Sequence, residues 1–311
     1  MTKQTACVFA CSEAFAFALY VTLKTFFAHS PQLATESDVF IYAYRWSKHT
    51  KDIISSCGTV KIIDYDLPAD IPRNALIMRF TPALYARFEA FNLLDKYQNV
   101  ICLDSDILVQ KELIGAIDEM TENIGLVKDT LPFVSKNFLN PIEGYDLSKP
   151  CFNAGFIVLK KQQFPVSCTR TARWLYSMLG EQVDNIELGD QGIINLSLQK
   201  FNLRPYVFSN LWNMPASNPR NKLNKAFIIH STGHRKFWAY YYFHEWYSAY
   251  TQWNKKGGTP VSIRKNSTQW DYLLNIFALK KSCFFQLAPD GYQHPIKFIT
   301  FFLKFLFHIK Y

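Results

Sequence analysis

Several protein classes are excluded by what this sequence lacks. No run approaches the roughly 18 consecutive apolar residues of a spanning helix, so we predict no transmembrane segment. The seven cysteines form no Cys-x-x-Cys pair, which favours buried, reduced thiols in a cytosolic protein over a disulfide framework or a zinc site. No recognition pattern of a nucleic-acid-binding module is present. The net charge of +9 therefore predicts another anionic partner, such as a nucleotide or an anionic lipid.

The composition is that of a chain with a large core. Of the 311 residues, 49% are hydrophobic and 16% aromatic, which excludes a disordered protein. The first ten residues lack a convincing cleavage pattern, so we predict a core strand there and no signal peptide. Strand-like and helix-like runs then alternate as far as residue 200, which is typical of an α/β sheet with crossover helices. We predict strands at 6–11, 38–44, 59–63, 99–103, 124–127 and 152–159, and helices at 13–28, 81–94, 164–179 and 190–200.

The last sixty residues differ from the rest. The stretch 254–269 is polar and basic and contains Gly-Gly and Pro, which predicts a linker. Residues 296–311 are rich in Phe, Ile and Leu, with a basic or polar residue every three or four positions. This pattern predicts a helix with a narrow basic stripe, which suits an anionic membrane surface; the alternative is a core helix docked on the domain. We therefore expect a main domain at 1–252 and a linker with a membrane-association tail at 253–311.

The most informative stretch is 99–109, in which two carboxylates follow a short apolar run. Asp104 and Asp106 point to the same side of an extended segment, at the end of a strand, where an open α/β sheet presents ligand-binding groups. They can converge on one hard cation, Mg²⁺ or Mn²⁺, which we expect to carry a phosphate-bearing substrate. A second copy of the pattern, Asp64 and Asp66, leads into a proline-broken loop and is interpreted as a solvated strand end.

Three further polar groups each have a functional and a structural interpretation. Arg87, on a predicted helix, can bind a diphosphate in bidentate fashion or be a surface arginine paired with Glu89. Asn153 lies in an Asn-Ala-Gly sequence within an apolar strand, which marks either a close approach of the backbone to a ligand or a bulge. Asp190 can act in a site or cap the helix that follows. That structural explanation does not apply to its neighbour Gln191.

A fourth group follows the apolar run 226–229. His230, at the end of that run, can complete a coordination shell begun by two carboxylates. Lys236 can reach a phosphate as a point charge. A lone histidine in this place would be interpreted as a core residue, but the other polar groups of the sequence favour a metal site.

Together these groups resemble the retaining glycosyltransferases of family 8, which include bacterial lipopolysaccharide galactosyl- and glucosyltransferases and glycogenin. The resemblance spans about residues 6–240 and consists of five motifs in order. They are Tyr-Ala-Arg at 85–87, Leu-Asp-Ser-Asp at 103–106, Phe-Asn-Ala-Gly at 152–155, Asp-Gln at 190–191 and His-x-x-Gly-x-x-Lys-x-Trp at 230–238. The resemblance implies a GT-A fold, a Rossmann-like nucleotide-sugar domain with a mixed central sheet, as the catalytic domain at 1–252.

The resemblance also implies a UDP-sugar donor bound together with Mn²⁺ or Mg²⁺. Asp104, Asp106 and His230 would be the metal ligands, and Asp104 would also lie near the ribose. Gly233 and Lys236 would bind the diphosphate.

The donor sugar would be held by a second set of matching residues. Arg87, Asn153 and Asp190 would bind it, and Gln191 would lie on its β face near the anomeric carbon. The implied reaction moves galactose or glucose to a saccharide or lipid-linked saccharide, with the lipopolysaccharide core as the expected acceptor. The tail is similar to the membrane-attachment tails of bacterial members, which implies a cytoplasmic protein peripheral on the inner face of the cell membrane.

The sequence departs from the family pattern in two places. Family members usually carry an Asp-Asp-Asn-Tyr-like stretch after the first strand, where this chain has Ser12, Glu13, Ala14 and Phe15. Glu13 would reach the nucleoside and Phe15 would stack on it, without the usual asparagine. Phe237 also stands where a proline is usual.

Two other functions compete with this interpretation. Haloacid-dehalogenase phosphohydrolases also place Asp-x-Asp after an apolar strand, and Asp104 would then be a nucleophile. In that family, however, the motif normally follows the first strand. The later aspartate of the family would also fall on Ile194 or Asn195 here, and neither is acidic. A non-catalytic nucleotide-sugar-binding protein is the third possibility, suggested by the altered stretch after the first strand.

Overall fold

The computed structural model describes residues 3–261 except 80, 164–166, 234 and 242, with the backbone alone at 76 and 163. Along this part of the chain the strands are β1 (Thr5–Ser12), β2 (Ser37–Tyr44), β3 (Lys61–Asp64), β4 (Asn99–Leu103), β5 (Ile107–Val109), β6 (Ile124–Phe133), β7 (Pro150–Lys160), β8 (Pro205–Phe208), β9 (Met214–Pro215) and β10 (Ile228–His230). The α-helices are α1 (Ala16–His29), α2 (Pro31–Glu36), α3 (Lys48–Ser55), α4 (Ala75–Arg79), α5 (Glu89–Leu93), α6 (Gly115–Glu119), α7 (Cys168–Glu181), α8 (Asp190–Lys200), α9 (Arg220–Leu223) and α10 (His244–Lys255). Short 3₁₀ turns lie at Glu13–Phe15, Pro82–Phe88, Val134–Asn137, Lys161–Gln163 and Asn210–Asn213.

A seven-stranded mixed sheet carries the fold, in the order β3-β2-β1-β4-β7-β6-β8. The strands β1 to β4 are parallel neighbours, whereas β7 runs antiparallel to both β4 and β6. The parallel strands therefore end at one edge of the sheet, where α/β folds bind their ligands. The predicted α/β class and mixed sheet are confirmed.

Both faces of the sheet are buried. In β1, Cys7, Phe9 and Cys11 pack into one core cluster, whereas Ala6 and Val8 pack into the other. This alternation follows from the two-residue period of a strand. Because both faces of β1 are covered, its residues 6–11 are all apolar. Such a continuous apolar run predicts a buried strand.

A separate three-stranded sheet, in the order β5-β10-β9, completes the domain. β10 pairs antiparallel with β5, and His230 stands opposite Ile107. These strands are two or three residues long, too short for a period to be visible in the sequence. The apolar run 226–229 indicated β10, whereas β5 and β9 were not predicted.

One predicted helix differs from the structure, and α3 is a helix that the sequence did not predict. The segment predicted as one helix at 81–94 is a 3₁₀ turn, Pro82–Phe88, followed by the short helix α5. The unpredicted α3 is polar and starts at a local cap, because Ser47 accepts a hydrogen bond from the amide of Thr50 at 3.1 Å.

The C-terminal part of the described chain packs on the main domain. Trp253 is 1% exposed, and its indole donates to the carbonyl of Thr259 at 2.9 Å. The first residues of the expected linker therefore lie against the domain as far as Val261, whose amide donates to the Tyr250 hydroxyl. The predicted tail at 296–311 lies outside the described residues. No helix in the described ranges is both long and apolar enough to span a bilayer.

Candidate active site

Asp104 and Asp106 lie in the tight turn between β4 and β5. The amide of Asp104 donates to the carbonyl of Gly155 on β7 at 3.0 Å. The hydroxyl of Thr22, on α1, contacts the Ser105 carbonyl at 2.9 Å and accepts from the Ile107 amide at 3.2 Å. The turn is thus held from the sheet and from α1, and both carboxylates have fixed positions.

His230 meets both carboxylates from the end of β10. Its Nε2 lies 3.2 Å from Asp104 Oδ2 and 3.3 Å from Asp106 Oδ1. One candidate ligand atom from each residue lies within 4.8 Å of the others. Two carboxylates and an imidazole suit a divalent cation such as Mn²⁺. A Cβ built on Gly155 would lie 2.5 Å from His230 Cε1 and 2.8 Å from Asp104 Oδ2, so only glycine leaves room for this group.

Lys236 adjoins the same group. Its Nζ lies 2.5 Å from Asp106 Oδ2 and donates to the Ser231 carbonyl at 2.9 Å. The intervening loop carries Gly233 at φ +66, with no atom within 4 Å of its Cβ position. An anion can approach this open backbone with an ammonium group close by.

Arg87 links two of the carboxylates. Its guanidinium lies 2.5 Å from Asp104 Oδ1 and 2.5 Å from Asp190 Oδ2, and it also donates to the Ala154 carbonyl. The arginine side chain is 10% exposed and that of Asp190 4%. The structure thus places Arg87 as a buried partner of two site carboxylates, not as a surface arginine paired with Glu89.

These contacts shift the pKa values in opposite directions. Burial raises the pKa of both Asp104 and Asp106, but nearby positive charges outweigh it. Arg87 and His230 hold the pKa of Asp104 well below its usual range. Lys236 and His230 lower that of Asp106 to about 2. Burial lowers the pKa of His230, but the facing carboxylates raise it to about 9. Asp190 is the exception, since burial outweighs the charge of Arg87 and raises its pKa to about 7.

Asn153 and Gln191 lie beside the charged group and meet each other. Asn153 Nδ2 donates to Asp129 Oδ2 at 2.7 Å and to Gln191 Oε1 at 3.1 Å. The Ala154 amide donates to the same Gln191 oxygen at 3.3 Å. Asn153 is on β7 and Gln191 on α8, so the structure brings two of the predicted sugar-binding residues together from different elements.

Four residues of this site were missed by the sequence analysis. Asn137 Oδ1 accepts from Gln191 Nε2 at 3.0 Å, Asn213 joins Asn153 to His230, Asp129 accepts from Asn153, and Ser231 Oγ donates to Asp106 Oδ2 at 3.2 Å. Asn137, Asn213 and Asp129 lie outside the five motifs. Ser231 alone had a signal, because it directly follows His230.

The altered stretch after β1 has well-defined partners. The Glu13 carboxylate accepts from the Ser47 amide at 2.6 Å and from the Thr50 hydroxyl at 2.6 Å, at the start of α3. Phe15 is 38% exposed, and its ring contacts Trp238 edge to face at 6.0 Å. Phe15 thus remains open to solvent beside the last motif, while Glu13 is engaged within the protein.

Three other residues singled out in the sequence are structural. Asp66 pairs with Arg73 at 3.2 Å and Asp64 with Lys51 at 2.6 Å, all near the surface, which agrees with a solvated strand end. Phe237 is fully buried and packs against Phe243, so in this chain the position contributes to the core.

The fold has known relatives among solved structures. The bifunctional glycosyltransferase WbbM is 18% identical with a TM-score of 0.62 over 82% of this chain, which spans about half (51%) of WbbM. The galactosyltransferase LgtC, solved with donor and acceptor sugar analogues, is 18% identical with a TM-score of 0.56, over 85% of this chain and 98% of LgtC. Mouse xyloside xylosyltransferase 1 is 13% identical with a TM-score of 0.50, over 75% of this chain and 99% of its own. This likeness confirms the GT-A fold.

Sequence comparison gives a family. No curated protein sequence matches the chain significantly. The phosphohydrolase alternative is not supported, because Asp104 follows the fourth strand and is engaged by Arg87 and His230. The model of glycosyl transferase family 8 matches residues 6–241, which contain every residue of the site described above. The chain therefore belongs to glycosyl transferase family 8.

Proposed function

We propose that this protein is a metal-dependent, retaining hexosyltransferase that moves galactose or glucose from a UDP-sugar to a saccharide acceptor. One juxtaposition carries the proposal. The Asp104–Asp106–His230 group, with Lys236 2.5 Å from Asp106, is joined through Asn213 to the paired amides of Asn153 and Gln191. A site for a cation and a diphosphate is thus continuous with groups that bind sugar hydroxyls.

The charged part of the site would hold the UDP leaving group. Asp104, Asp106 and His230 would ligate Mn²⁺ or Mg²⁺, which when bound offsets the negative charge that develops on the diphosphate. Lys236 would add its positive charge by turning from Asp106 to a phosphate oxygen. The open, left-handed backbone at Gly233 would let the diphosphate approach the loop.

The amide part would hold the hexose. Asn153 and Asp190 would bind sugar hydroxyls, with Arg87 holding Asp190, and the Gln191 amide would face the anomeric carbon. The sugar becomes oxocarbenium-like as its bond to phosphate breaks, and an amide oxygen stabilises that positive charge without bonding to it.

The expected stereochemical course is retention by front-face transfer. Asp129 and Asp190 are engaged by Asn153 and Arg87, which argues against either as a free covalent nucleophile. The departing phosphate oxygen would accept the proton of the acceptor hydroxyl, on the face from which the acceptor attacks. Proton NMR of a UDP-sugar undergoing slow hydrolysis checks this course, since the hexose first released should keep the α configuration of the donor.

The acceptor and the location follow from family resemblance and charge. LgtC was solved with donor and acceptor sugar analogues, and we propose a lipopolysaccharide core or another lipid-linked saccharide as the acceptor here. We propose that 296–311 attaches the protein to the inner face of the cell membrane. A chain ending at Ser267 should then no longer pellet with anionic vesicles, and unchanged pelleting would refute the anchor.

The decisive experiment is calorimetric titration of UDP-galactose, UDP-glucose and UDP into the full chain. Binding should require Mn²⁺, disappear with EDTA, and disappear in Asp106→Asn. The matched control is Asp66→Asn, which changes the other Asp-x-Asp pair and should leave binding intact. The tighter of the two sugars identifies the donor. Absence of nucleotide binding under every condition would overturn the proposal, and binding without any transfer or hydrolysis would favour a non-catalytic binding protein.

A further inference from the structure

We propose that Asn213 is a positioning residue of the metal site. It holds His230 with a proton on Nδ1 and with Nε2 directed to the cation, and its own orientation is imposed by Asn153, which also bonds Gln191. The inference rests on the proposed metal-dependent function and deepens it. It follows from the polarity of each hydrogen bond among these side chains.

The orientation of the Gln191 amide is fixed at both ends. The Ala154 backbone N–H can only donate, and it lies 3.3 Å from Gln191 Oε1. Gln191 Nε2 therefore faces Asn137 Oδ1 at 3.0 Å, while Asn137 Nδ2 donates to the Val134 carbonyl, which can only accept, at 2.9 Å. Reversing either amide would place a donor against a donor at one end and an acceptor against an acceptor at the other.

Asn153 is fixed in the same way. Its Oδ1 accepts from the Gly155 N–H at 2.8 Å, and its Nδ2 donates to the Asp129 carboxylate at 2.7 Å and to Gln191 Oε1 at 3.1 Å. A reversed amide would place its nitrogen against a backbone donor and its oxygen against a carboxylate.

The orientation of Asn153 determines which atom of Asn213 faces His230. Asn213 lies 2.7 Å from Asn153 Oδ1, so the atom that faces that oxygen must be Asn213 Nδ2. The Oδ1 of Asn213 is left to face His230 Nδ1 at 2.9 Å, which requires a proton on that nitrogen. The other ring nitrogen, Nε2, is the one that faces Asp104 and Asp106.

Burial makes this arrangement hard to replace. Asn213 and His230 are each 4% exposed, so water has little access to either ring nitrogen or to the amide between them. Metal-ligating histidines commonly donate their second N–H to a carboxylate or a backbone carbonyl. Here the acceptor is a side-chain amide, and its orientation is set by Asn153, which also donates to Gln191. The metal ligand and the sugar-facing amide thus belong to one hydrogen-bonded unit.

The test separates the acceptor role of Asn213 from its packing. Asn213→Leu and Asn213→Asp both lose the donor to Asn153, but only the aspartate keeps an acceptor for His230. Free Mn²⁺, measured by its EPR signal in titrations of the full chain, should show about 10- to 100-fold weaker binding in Asn213→Leu and roughly wild-type binding in Asn213→Asp. Hydrolysis of the UDP-sugar should fall in both variants, because Asn153 loses the hydrogen bond that Asn213 donates to its Oδ1.

Asn195→Leu is the matched control. Asn195 is also a buried asparagine, and its amide bonds the backbone of Phe152 and of Gln191 instead of His230. Its loss should lower stability without changing Mn²⁺ affinity. Equal Mn²⁺ affinity in Asn213→Leu, Asn213→Asp and the wild type would overturn the inference.

A second measurement needs neither metal nor a folded leucine variant. Long-range ¹H–¹⁵N spectra of the metal-free wild type, assigned with His230→Gln and recorded at alkaline pH, where only one ring nitrogen carries a proton, should show that proton on His230 Nδ1 and in slow exchange, and Asn213→Asp should retain it. An unprotonated or rapidly exchanging Nδ1 would refute the inference. If the wild type binds no Mn²⁺, the proposed function fails at its metal site, while this spectrum still decides the role of Asn213.

Discussion

The two halves of the candidate site are built from different chemistry. The charged half consists of Asp104, Asp106 and His230 with Lys236 and Arg87, and ion pairs of 2.5 to 3.3 Å connect its members. The amide half is centred on Asn153 and Gln191, two uncharged side chains that form hydrogen bonds of 2.7 to 3.3 Å with neighbouring amides, the backbone and one carboxylate.

The difference shows how each half is fixed. Paired charges attract over several ångströms and can exchange one partner for another, so the charged half can accept a cation and a diphosphate. Amides need correct polarity at each contact, so the amide half tolerates little change in atom type. The charged half should therefore respond to pH and metal, and the amide half to isosteric substitution.

The largest expected effect is in the amide half. Gln191→Ala should lower kcat about 100- to 1,000-fold while UDP affinity stays unchanged, because the amide faces the sugar and not the diphosphate. Gln199→Ala, on the same helix α8 but bonded to Asp146, is the control and should leave kcat unchanged. Equal losses in kcat and in UDP binding would contradict the separation of the two halves.

The next effect is on stability and concerns the charged half. Arg87→Met leaves Asp104 and Asp190 buried without their counter-ion, so unfolding in urea should show a loss of about 3–5 kcal/mol. Arg73→Met breaks the exposed pair with Asp66 and should cost about 0–1 kcal/mol. Adding Asp190→Asn to Arg87→Met should recover part of the loss. Similar costs for the two arginines would mean that burial does not distinguish them.

A third change removes space from the charged half. In Gly155→Ala the new methyl group would meet His230 and Asp104 at 2.5 and 2.8 Å, so Mn²⁺ affinity should fall by at least about tenfold. Gly115→Ala meets nothing within 4 Å and serves as the control. An unaltered Mn²⁺ affinity in a folded Gly155→Ala would show that the metal site lies elsewhere.

The pH dependence tests the sign of the charge effects. Without metal, the pKa of His230 is raised from 6.5 to about 9, so its proton stabilises the metal-free fold fully below pH 6.5, and this contribution is lost as the pH rises through 9. A cation must displace the same proton, so Mn²⁺ affinity should rise about tenfold per pH unit from neutral pH toward 9 and then level off. Titration at several pH values measures this, and a flat profile in the wild type would contradict the assignment. Mn²⁺ binding by His230→Gln should be weak and nearly independent of pH.

The smallest effect is expected behind Gln191. Cys151 Sγ lies 3.1 Å from Asn137 Nδ2 and 3.6 Å from Gln191 Nε2, and both amides keep a stronger partner without it. Cys151→Ala should lower stability by about 1 kcal/mol and leave kcat nearly unchanged, as thermal unfolding and hydrolysis rates would show. A large loss of kcat that Cys151→Ser rescues would show that the Cys151 thiol is part of the amide half.

Local signals explain what the sequence could predict. Asp104 and Asp106 combined a two-residue spacing with the end of an apolar strand, and His230 also followed an apolar run. Their meeting, however, depends on the pairing of β5 with β10, strands of three residues each. The pattern indicated that His230 could complete their coordination shell, and the resemblance to the family then assigned all three as ligands of one metal.

Other residues show the limit of local patterns. Glu13 follows the first strand where a nucleoside contact is expected, yet its carboxylate binds the start of α3. Arg87 was expected to bind a donor, and the structure gives it two carboxylate partners. Asn213 and Asp129 have no motif, because their neighbours are set by the three-dimensional packing of elements remote in the sequence.

The pairing of β5 with β10 also bears on how the protein folds. Ser231 and Asp106, which bond across this pairing, are 125 residues apart in the chain. A contact of such long range forms only after a large loss of chain entropy, so we expect the metal ligands to assemble after the central sheet. A bound cation would then be absent from the folding transition state. Mn²⁺ should slow unfolding while leaving the refolding rate unchanged.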